Sequence, residues 1–315
     1  MTMATAKQHS AVDNPVNELL IGFVELWMPN EDSTQLVRVA TRSTAANHEV
    51  CSSTEPIHQG PGEGIAGAAW KQKAAIVLQE KPSELLSQLG APSDVELAAI
   101  VALPAFRKNE IRGVLVFGLT SSFGAAEVWS RDDRDELGVA AGHYSGLPSF
   151  EFITRYTRFP KGAGVPGAVW SSGRPKIAQD LARNSSFIRS FGNDPAQVSA
   201  AIGLPVASAS GFPACVLLLL QAVDCPISRR TELIDFEVVP ATDSMAERVV
   251  ATSSTVLGQQ DQEPCLPWQQ VLVAEAYAGN APVFLDAQAE SDAGFHIGWP
   301  VFCGDQLVSI LGLTF

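Results

Sequence analysis

One nine-residue pattern occurs twice in this chain, 100 residues apart. Residues 62–70 read GEGIAGAAW and residues 162–170 read GAGVPGAVW, both fitting G-x-G-x-x-G-A-x-W. The flanks repeat in the same order. A short apolar segment with one glutamate lies upstream, FVELW at 23–27 and AEVW at 126–129. A segment ending in proline lies downstream, AAIVALP at 98–104 and SAAIGLP at 199–205, and an apolar run follows each, IRGVLVFGL at 111–119 and FPACVLLLLQA at 212–222. Self-similarity on this scale means consecutive copies of one supersecondary unit, and it constrains the fold more than any local propensity does.

A worn third copy completes the chain. FEVV at 236–239 stands where AEVW stood, which aligns Glu25, Glu127 and Glu237. AYAGNAPVFLD at 276–286 matches VWSSGRPKIAQD at 169–180, and GWPVF at 298–302 matches GLPVA at 203–207. The loop glycines are gone: Gly162, Gly164 and Gly167 align with Gln269, Val271 and Ala274. The expected division is a disordered leader over 1–15, then units over 16–121, 122–225 and 226–315.

Within each copy the periodicities read as a hairpin, a glycine loop, a short helix, a strand, a polar helical stretch and two closing strands. Glu25-Leu26-Trp27 and LVRVATRS at 36–43 alternate apolar and polar residues around the turn cluster PNEDST, as half-buried strands do. The second copy repeats this as AEVW, SRDDRDE and LGVAAGHYS, and the third as FEVV, PATDSM and ERVVATSSTVLG. Hairpins flanking helices predict an α+β class, with each unit a mostly antiparallel sheet carrying helices on its face.

Composition removes several functional classes. The chain has 315 residues, 46% of them apolar and 17% charged, with a formal net charge of −13. That acidic background, with no basic cluster, argues against a nucleic-acid partner. The polar start MTMATAKQHSAVDNP has no apolar signal core. The longest apolar run, ACVLLLL at 214–220, is far short of a membrane span and reads as a buried strand. The five cysteines, Cys51, Cys215, Cys225, Cys265 and Cys303, are odd in number and contain no C-x-x-C, which fits reduced thiols in a cytoplasmic compartment.

The order of elements resembles the GAF domain family. The residues carrying the resemblance are the E-x-W hairpin, F-x-x-G-x-G-x-x-G-x-x-W from Phe159 to Trp170, the R-P-x-x-x-x-D of Arg174, Pro175 and Asp180, and A-x-G-L-P from Ala201 to Pro205. The second copy matches best and the third least. The resemblance implies a small-molecule pocket between the sheet and the helices that cover it. It leaves function open, since one fold hosts many functions.

The glycine motif alone invites a nucleotide reading. Its helix lasts only about two turns before Pro175, too short for the crossover of a dinucleotide fold. The glycines are better explained by positive φ and close approach to the sheet, with Trp70 and Trp170 plugging the helix onto the core. His48, Cys51 and His58 tempt a zinc reading, but a long loop with no fourth ligand argues against it. The candidate ligand-binding set is His143, Tyr144, Tyr156, Arg158, Trp170 and Asp180, the densest group of polar and aromatic side chains in the best-preserved copy. Each also has a plain structural reading, as a surface charge, a loop residue or a core tryptophan.

The sequence departs from the family in function-bearing places. Between Thr120 and Ala125 there is no room for a signalling helix, and no kinase, cyclase or DNA-binding segment is present. The scattered cysteines do not reproduce the set used by GAF-like enzymes that reduce free methionine sulfoxide. The expectation is a non-enzymatic sensor that binds an unidentified small molecule, without metal or a named cofactor. It would act through a partner protein or as a homodimer. A redox enzyme of the free methionine sulfoxide reductase type and a structural scaffold are the alternatives.

Overall fold

A computed structural model describes residues 19–44, 56–79, 97–181, 187, 189, 198–207, 213–240, 247–257, 267–286 and 294–315. The leader at 1–15, His48, Cys51, Cys265 and the helical stretch expected at 82–90 lie outside these. The described residues form three sheets. The first has β1 (Ile21–Pro29), β2 (Leu36–Ser43), β3 (His58–Gln59), β4 (Ile76–Leu78), β5 (Leu97–Arg107) and β6 (Glu110–Thr120), ordered β3-β2-β1-β6-β5-β4. Helix α1 (Gly64–Gln72) joins β3 to β4.

The second sheet has β7 (Gly124–Arg131), β8 (Leu137–Ser145), β9 (Arg158–Phe159), β10 (Lys176–Ala178), β11 (Val198–Ala207) and β12 (Pro213–Ala222). Its order, β10-β11-β12-β7-β8-β9, is that of the first sheet read from the other edge. Helix α2 (Pro148–Tyr156) precedes β9 and α3 (Gly164–Ser172) follows it. The third sheet has β13 (Arg230–Pro240), β14 (Glu247–Leu257), β15 (Val283–Asp286), β16 (Phe295–Cys303) and β17 (Gln306–Thr314), ordered β14-β13-β17-β16-β15, with α4 (Pro267–Gly279) before β15. Every pairing is antiparallel.

Local chemistry sets the hairpins. Asn30 Oδ1 accepts from the amides of Thr34 and Gln35, and Asp132 Oδ1 accepts from those of Arg134 and Glu136. These side chains bond the backbone a few residues on and close the turn. Glycine loops lead into α1 and α3, where Gly62 and Gly162 have φ of +93° and +81°. Both helices, and α4, end at a left-handed residue at one common station: Lys73, Gly173 and Asn280, each three residues before the matched sheet positions Ile76, Lys176 and Val283.

The α+β expectation needs correction. Strands dominate the described residues, 17 of them against four helices of 9, 9, 9 and 13 residues. The helical layer is thin, and much of the packing is sheet on sheet. The reason lies in the strands. On β12, Cys215, Leu217 and Leu219 point into a core shared with the other two sheets, while Val216, Leu218 and Leu220 point into a separate core under α2 and α3. Strand side chains alternate between faces, so a strand buried on both reads as an unbroken apolar run.

The sheets close on one another. Pro104, Pro205 and Pro300, from β5, β11 and β16, line one small cavity with Phe106, Leu204 and Trp299. Gln79 Nε2 donates to the carbonyl of Gly142 in the second sheet, and Gln179 Nε2 donates to that of Val256 in the third, 2.7 Å away. Asp286 accepts both Arg42 Nη2 and Nε from the first sheet, at 2.8 and 3.0 Å. Gln79, Gln179 and Asp286 occupy the same station, three residues after Ile76, Lys176 and Val283. The three contacts therefore run head to tail around a ring.

One expected correspondence shifts. Glu237 lies on β13, the strand that matches β1 and β7 in sheet order, but not at their glutamate station. Glu25 sits opposite Val116 and then Ala102, and Glu127 opposite Leu218 and then Gly203. Glu232, opposite Gly312 and then Gly298, holds the equivalent place. No helix among the described residues is long and apolar enough to cross a membrane.

Candidate functional site

The E-x-W hairpins each bury a carboxylate. Glu25 and Trp27 lie two apart on β1, with a bulge between Leu26 and Trp27, and Trp27 Nε1 donates to Glu25 Oε2 at 2.9 Å. Trp129 Nε1 donates to Glu127 Oε2 at 2.8 Å in the same way. Both glutamates are fully buried. Such a charge persists only when paired, and the two sheets pair it differently. In the first, Arg38 on neighbouring β2 donates from Nη1 to Glu25 Oε1 at 2.7 Å. Burial still pushes the Glu25 carboxyl up to about 7, against the pull of Arg38 and Trp27.

In the second sheet the station matching Arg38 is Val139, opposite Trp129. The cation comes instead from the segment between β10 and β11. Arg189 Nη1 donates to Glu127 Oε1 at 2.5 Å and to Thr154 Oγ1 on α2 at 2.9 Å. Thr154 Oγ1 donates in turn to Glu127 Oε1 at 3.3 Å. The guanidinium is 1% exposed and lies over four rings, Phe150 at 4.3 Å, Trp129 at 5.3 Å, Phe159 at 5.6 Å and Phe187 at 5.8 Å. Its Nε has no hydrogen-bond partner.

Arg189 is one wall of a cavity of about 140 Å³ between the second sheet and α3. The floor is Ala201, Leu218 and Leu220; the sides are Phe159, Leu181 and Phe187; the glycine loop and the first turn of α3 (Gly162, Gly164, Val165, Pro166) form the roof; Lys176 and Ala178 on β10 complete it. Among the described residues, the lining carries two cationic side chains and no carboxylate, thiol or hydroxyl. An apolar concavity with a few placed polar groups is the usual form of a small-molecule site.

None of the six residues singled out from the sequence lines this cavity. Tyr144 comes nearest: its hydroxyl bonds Thr154 and Glu127 behind Arg189, and burial raises its phenol pKa, helped by the Glu127 charge. Trp170, on α3, is buried, with Lys161 Nζ 5.0 Å above its ring. His143 is half-buried on β8, bonded to Ser145 Oγ at 3.0 Å, and burial lowers its pKa while Glu151 opposes this. Arg158 turns away to Asp132, 3.1 Å from its Nε. Tyr156 is 74% exposed on α2. Asp180 is exposed, with φ of +52°. Thus Tyr144 joins the Glu127–Arg189–Thr154 cluster and the other five stand apart from it.

The residues that sequence reasoning passed over are Arg189, Lys176 and Phe187. The available signal was FIR at 187–189, a lone cation among aromatics. Among the described residues, no three metal-ligating side chains come together. Cys215 and Cys225 are buried and Cys303 is half-buried. Cys215 accepts from the amide of Ala75 at 3.3 Å, and burial pushes its thiol up to about 11.

No family model matches the chain, and no curated protein matches it. Solved structures that resemble parts of it are GAF-like folds. One is a free methionine-R-sulfoxide reductase from Neisseria meningitidis in complex with its substrate, 16% identical over 31% of this chain and 52% of that one, TM-score 0.23. Another is the NreA protein of Staphylococcus aureus, mutated in its nitrate binding site, 23% identical over 32% of this chain and 73% of that one, TM-score 0.24. A third is the nlh2 GAF domain of A. Aeolicus in an inactive state, 15% identical over 32% and 59%, TM-score 0.23. The chain spans between half and two-thirds of the reductase chains it matches. Likenesses at these scores fix neither ligand nor activity.

Proposed function

We propose that this chain is a non-enzymatic small-molecule-binding protein whose ligand sits in the cavity under α3, and which reports its ligand state to a partner protein. In this reading the three sheets are three copies of one GAF-like module, divided near 121 and 225, and the second copy binds. The observation that carries it is the cavity itself: about 140 Å³ walled by apolar side chains, with the buried Arg189 Nε unpartnered.

Catalysis is disfavoured by what the lining offers. Sulfoxide reduction needs a thiol to take the oxygen and a second to resolve it, and among the described residues no cysteine lines the cavity. Cys215 faces the shared core on the far side of β12, and a buried thiol held up at about 11 is a poor nucleophile.

The test is to purify the full chain and identify any bound compound by native mass spectrometry, then repeat with Ala178→Phe. Ala178 is half-buried at the cavity edge, so a phenyl ring there fills the space with little disturbance of the core. The reading expects bound compound in the parent and none in the variant, with melting temperatures within a few degrees. Equal occupancy in both proteins moves the site elsewhere. Methionine sulfoxide turnover by the parent would replace the binding reading with the enzymatic one.

A further inference from the structure

The sheet beneath α3 carries small side chains where the other two sheets carry large ones. On β10 and β11, Lys176 pairs with Gly203 and Ala178 with Ala201. The same register pairs Ile76 with Ala102 and Leu78 with Ile100 on β4 and β5. On β15 and β16 it pairs Val283 with Gly298 and Leu285 with His296. The stations of Ala178 and Ala201 are therefore Leu78 and Ile100 in the first sheet, and Leu285 and His296 in the third.

These stations share one face, since strand side chains alternate. Ala201 points with Leu218 and Leu220 into the core under α2 and α3, while its neighbours Ala200 and Ile202 point into the shared core. Ile100 packs in one core with Ile65 and Ala69 of α1. Where the first sheet has two branched alkyl side chains, the second has two methyl groups. The difference is about six carbon atoms, and such a deletion leaves a void unless the surroundings collapse into it. They do not collapse: Val165, Leu181 and Phe187 stand around a space of about 140 Å³. An apolar cavity of about 150 Å³ accepts a molecule of benzene's size, so the missing hydrocarbon and the open space agree.

The charges nearby are already matched. The Arg189 guanidinium is bound by the equally buried Glu127 at 2.5 Å, so the pair is neutral as a unit. Lys176 is exposed, and a lysine so placed keeps its ammonium in water while its stem covers the edge. Among the described residues the lining has no carboxylate to receive a cation. A charged ligand would give up its water here without gaining an open counter-charge. The walls favour a ring. Phe187 stacks on Phe150 at 6.0 Å and 15°, and Phe159 meets Trp129 edge-on at 4.7 Å and 74°, so each is held by a second ring.

Resting on the cavity reading above, we propose that the second sheet binds an uncharged single-ring molecule of about six carbon atoms. The ring takes the place that Leu78 and Ile100 hold in the first sheet, and it packs on Phe159, Phe187 and Leu218. The first and third sheets are closed to it by their own side chains at these stations.

Calorimetric titration of the full chain with benzene, sodium butyrate and n-butylammonium chloride tests this. Benzene should saturate one site, and the two ions should bind at least about tenfold more weakly, because each must shed its water to enter. Ala178→Leu combined with Ala201→Ile, which installs the residues of the first sheet, should abolish benzene binding. Should that double variant fail to fold by circular dichroism, Ala178→Leu alone, at the half-buried edge, should weaken benzene about tenfold or more by filling part of the space. Unchanged benzene affinity in a folded variant overturns the inference. Butyrate or butylammonium binding as tightly as benzene, and lost in Ala178→Phe, also overturns it and leaves the cavity reading standing. No binding of any of the three probes overturns the inference too, and the co-purification result then decides the cavity reading separately.

Discussion

Glu25 and Glu127 share a motif, a strand station and a tryptophan partner, yet their counter-ions come from different parts of the chain. The consequence for Glu25 is a pH dependence of stability. Its carboxyl is held at about 7 in the folded protein against an ordinary 4.5, so the native state binds that proton more tightly than the unfolded chain. Stability must then fall as pH rises from about 4.5 to about 7. Glu25→Gln, which has no proton to lose, should flatten this decline. Urea midpoints between pH 5 and pH 8 measure it, and an unchanged slope in the variant would show that the decline arises elsewhere. For Glu127 the arithmetic concerns its partner. Arg189→Met leaves a buried carboxylate without its cation and should cost about 3–5 kcal/mol in denaturant unfolding. Adding Glu127→Gln should recover much of that loss, because it removes the stranded charge; no recovery would place the cost in lost ring packing.

At the scale of elements, the glycine loops separate two demands that the sequence presents as one motif. A Cβ on Gly167 would stand 2.2 Å from the carbonyl oxygen of Pro160, whereas one on Gly162 meets nothing within 4 Å and suffers only from its φ of +81°. Gly167→Ala should therefore cost roughly 1–3 kcal/mol by forcing α3 off the loop and should weaken binding in the cavity. Gly162→Ala should cost about 1–2 kcal/mol of backbone strain and, because Gly162 is part of the cavity roof, weaken binding less than Gly167→Ala does. Paired melting curves and titrations check both; equal losses of affinity would show that the loop acts as one unit. The hairpins, glycine loops and short strands were legible because their signals are local. Helix α2 was missed, although Pro148 at its first turn and the Glu151–Arg155 pair at 2.5 Å mark it. Arg189 was not legible at all. Its partner Glu127 is 62 residues away, and only the closed fold shows that this cation is buried rather than solvated.

The whole molecule is less divisible than its repeats suggest. Alternate residues of β7, β11 and β12 (Val128, Ile202, Leu204, Leu217 and Leu219 among them) belong to a core shared with the first and third sheets. Segment 122–225 expressed alone would expose that face, and it should aggregate or bind hydrophobic dye rather than fold. A monomeric, cooperatively melting fragment would contradict the shared core. The same face explains why the α+β expectation erred: apolar runs on both strand faces call for sheets as neighbours, and the sequence was weighed for the helix-covered face alone. At the ring contacts, Arg42→Ala should change stability by less than about 1 kcal/mol, since the Arg42–Asp286 pair is solvent-exposed.

The central claim is that a small molecule sits in the cavity between the second sheet and α3. Amide chemical shifts of the isotopically labelled full chain, followed by NMR while the co-purifying compound is added back to protein stripped of it, test it most directly, because Gly164, Val165 and Ala178 line the cavity and Gly64, Ile65 and Leu78 stand at the matching places of the first sheet. The account predicts saturable shifts at Gly164, Val165 and Ala178 and none at Gly64, Ile65 or Leu78. Equal shifts at both helix starts, shifts confined to the first, or none at either would contradict it.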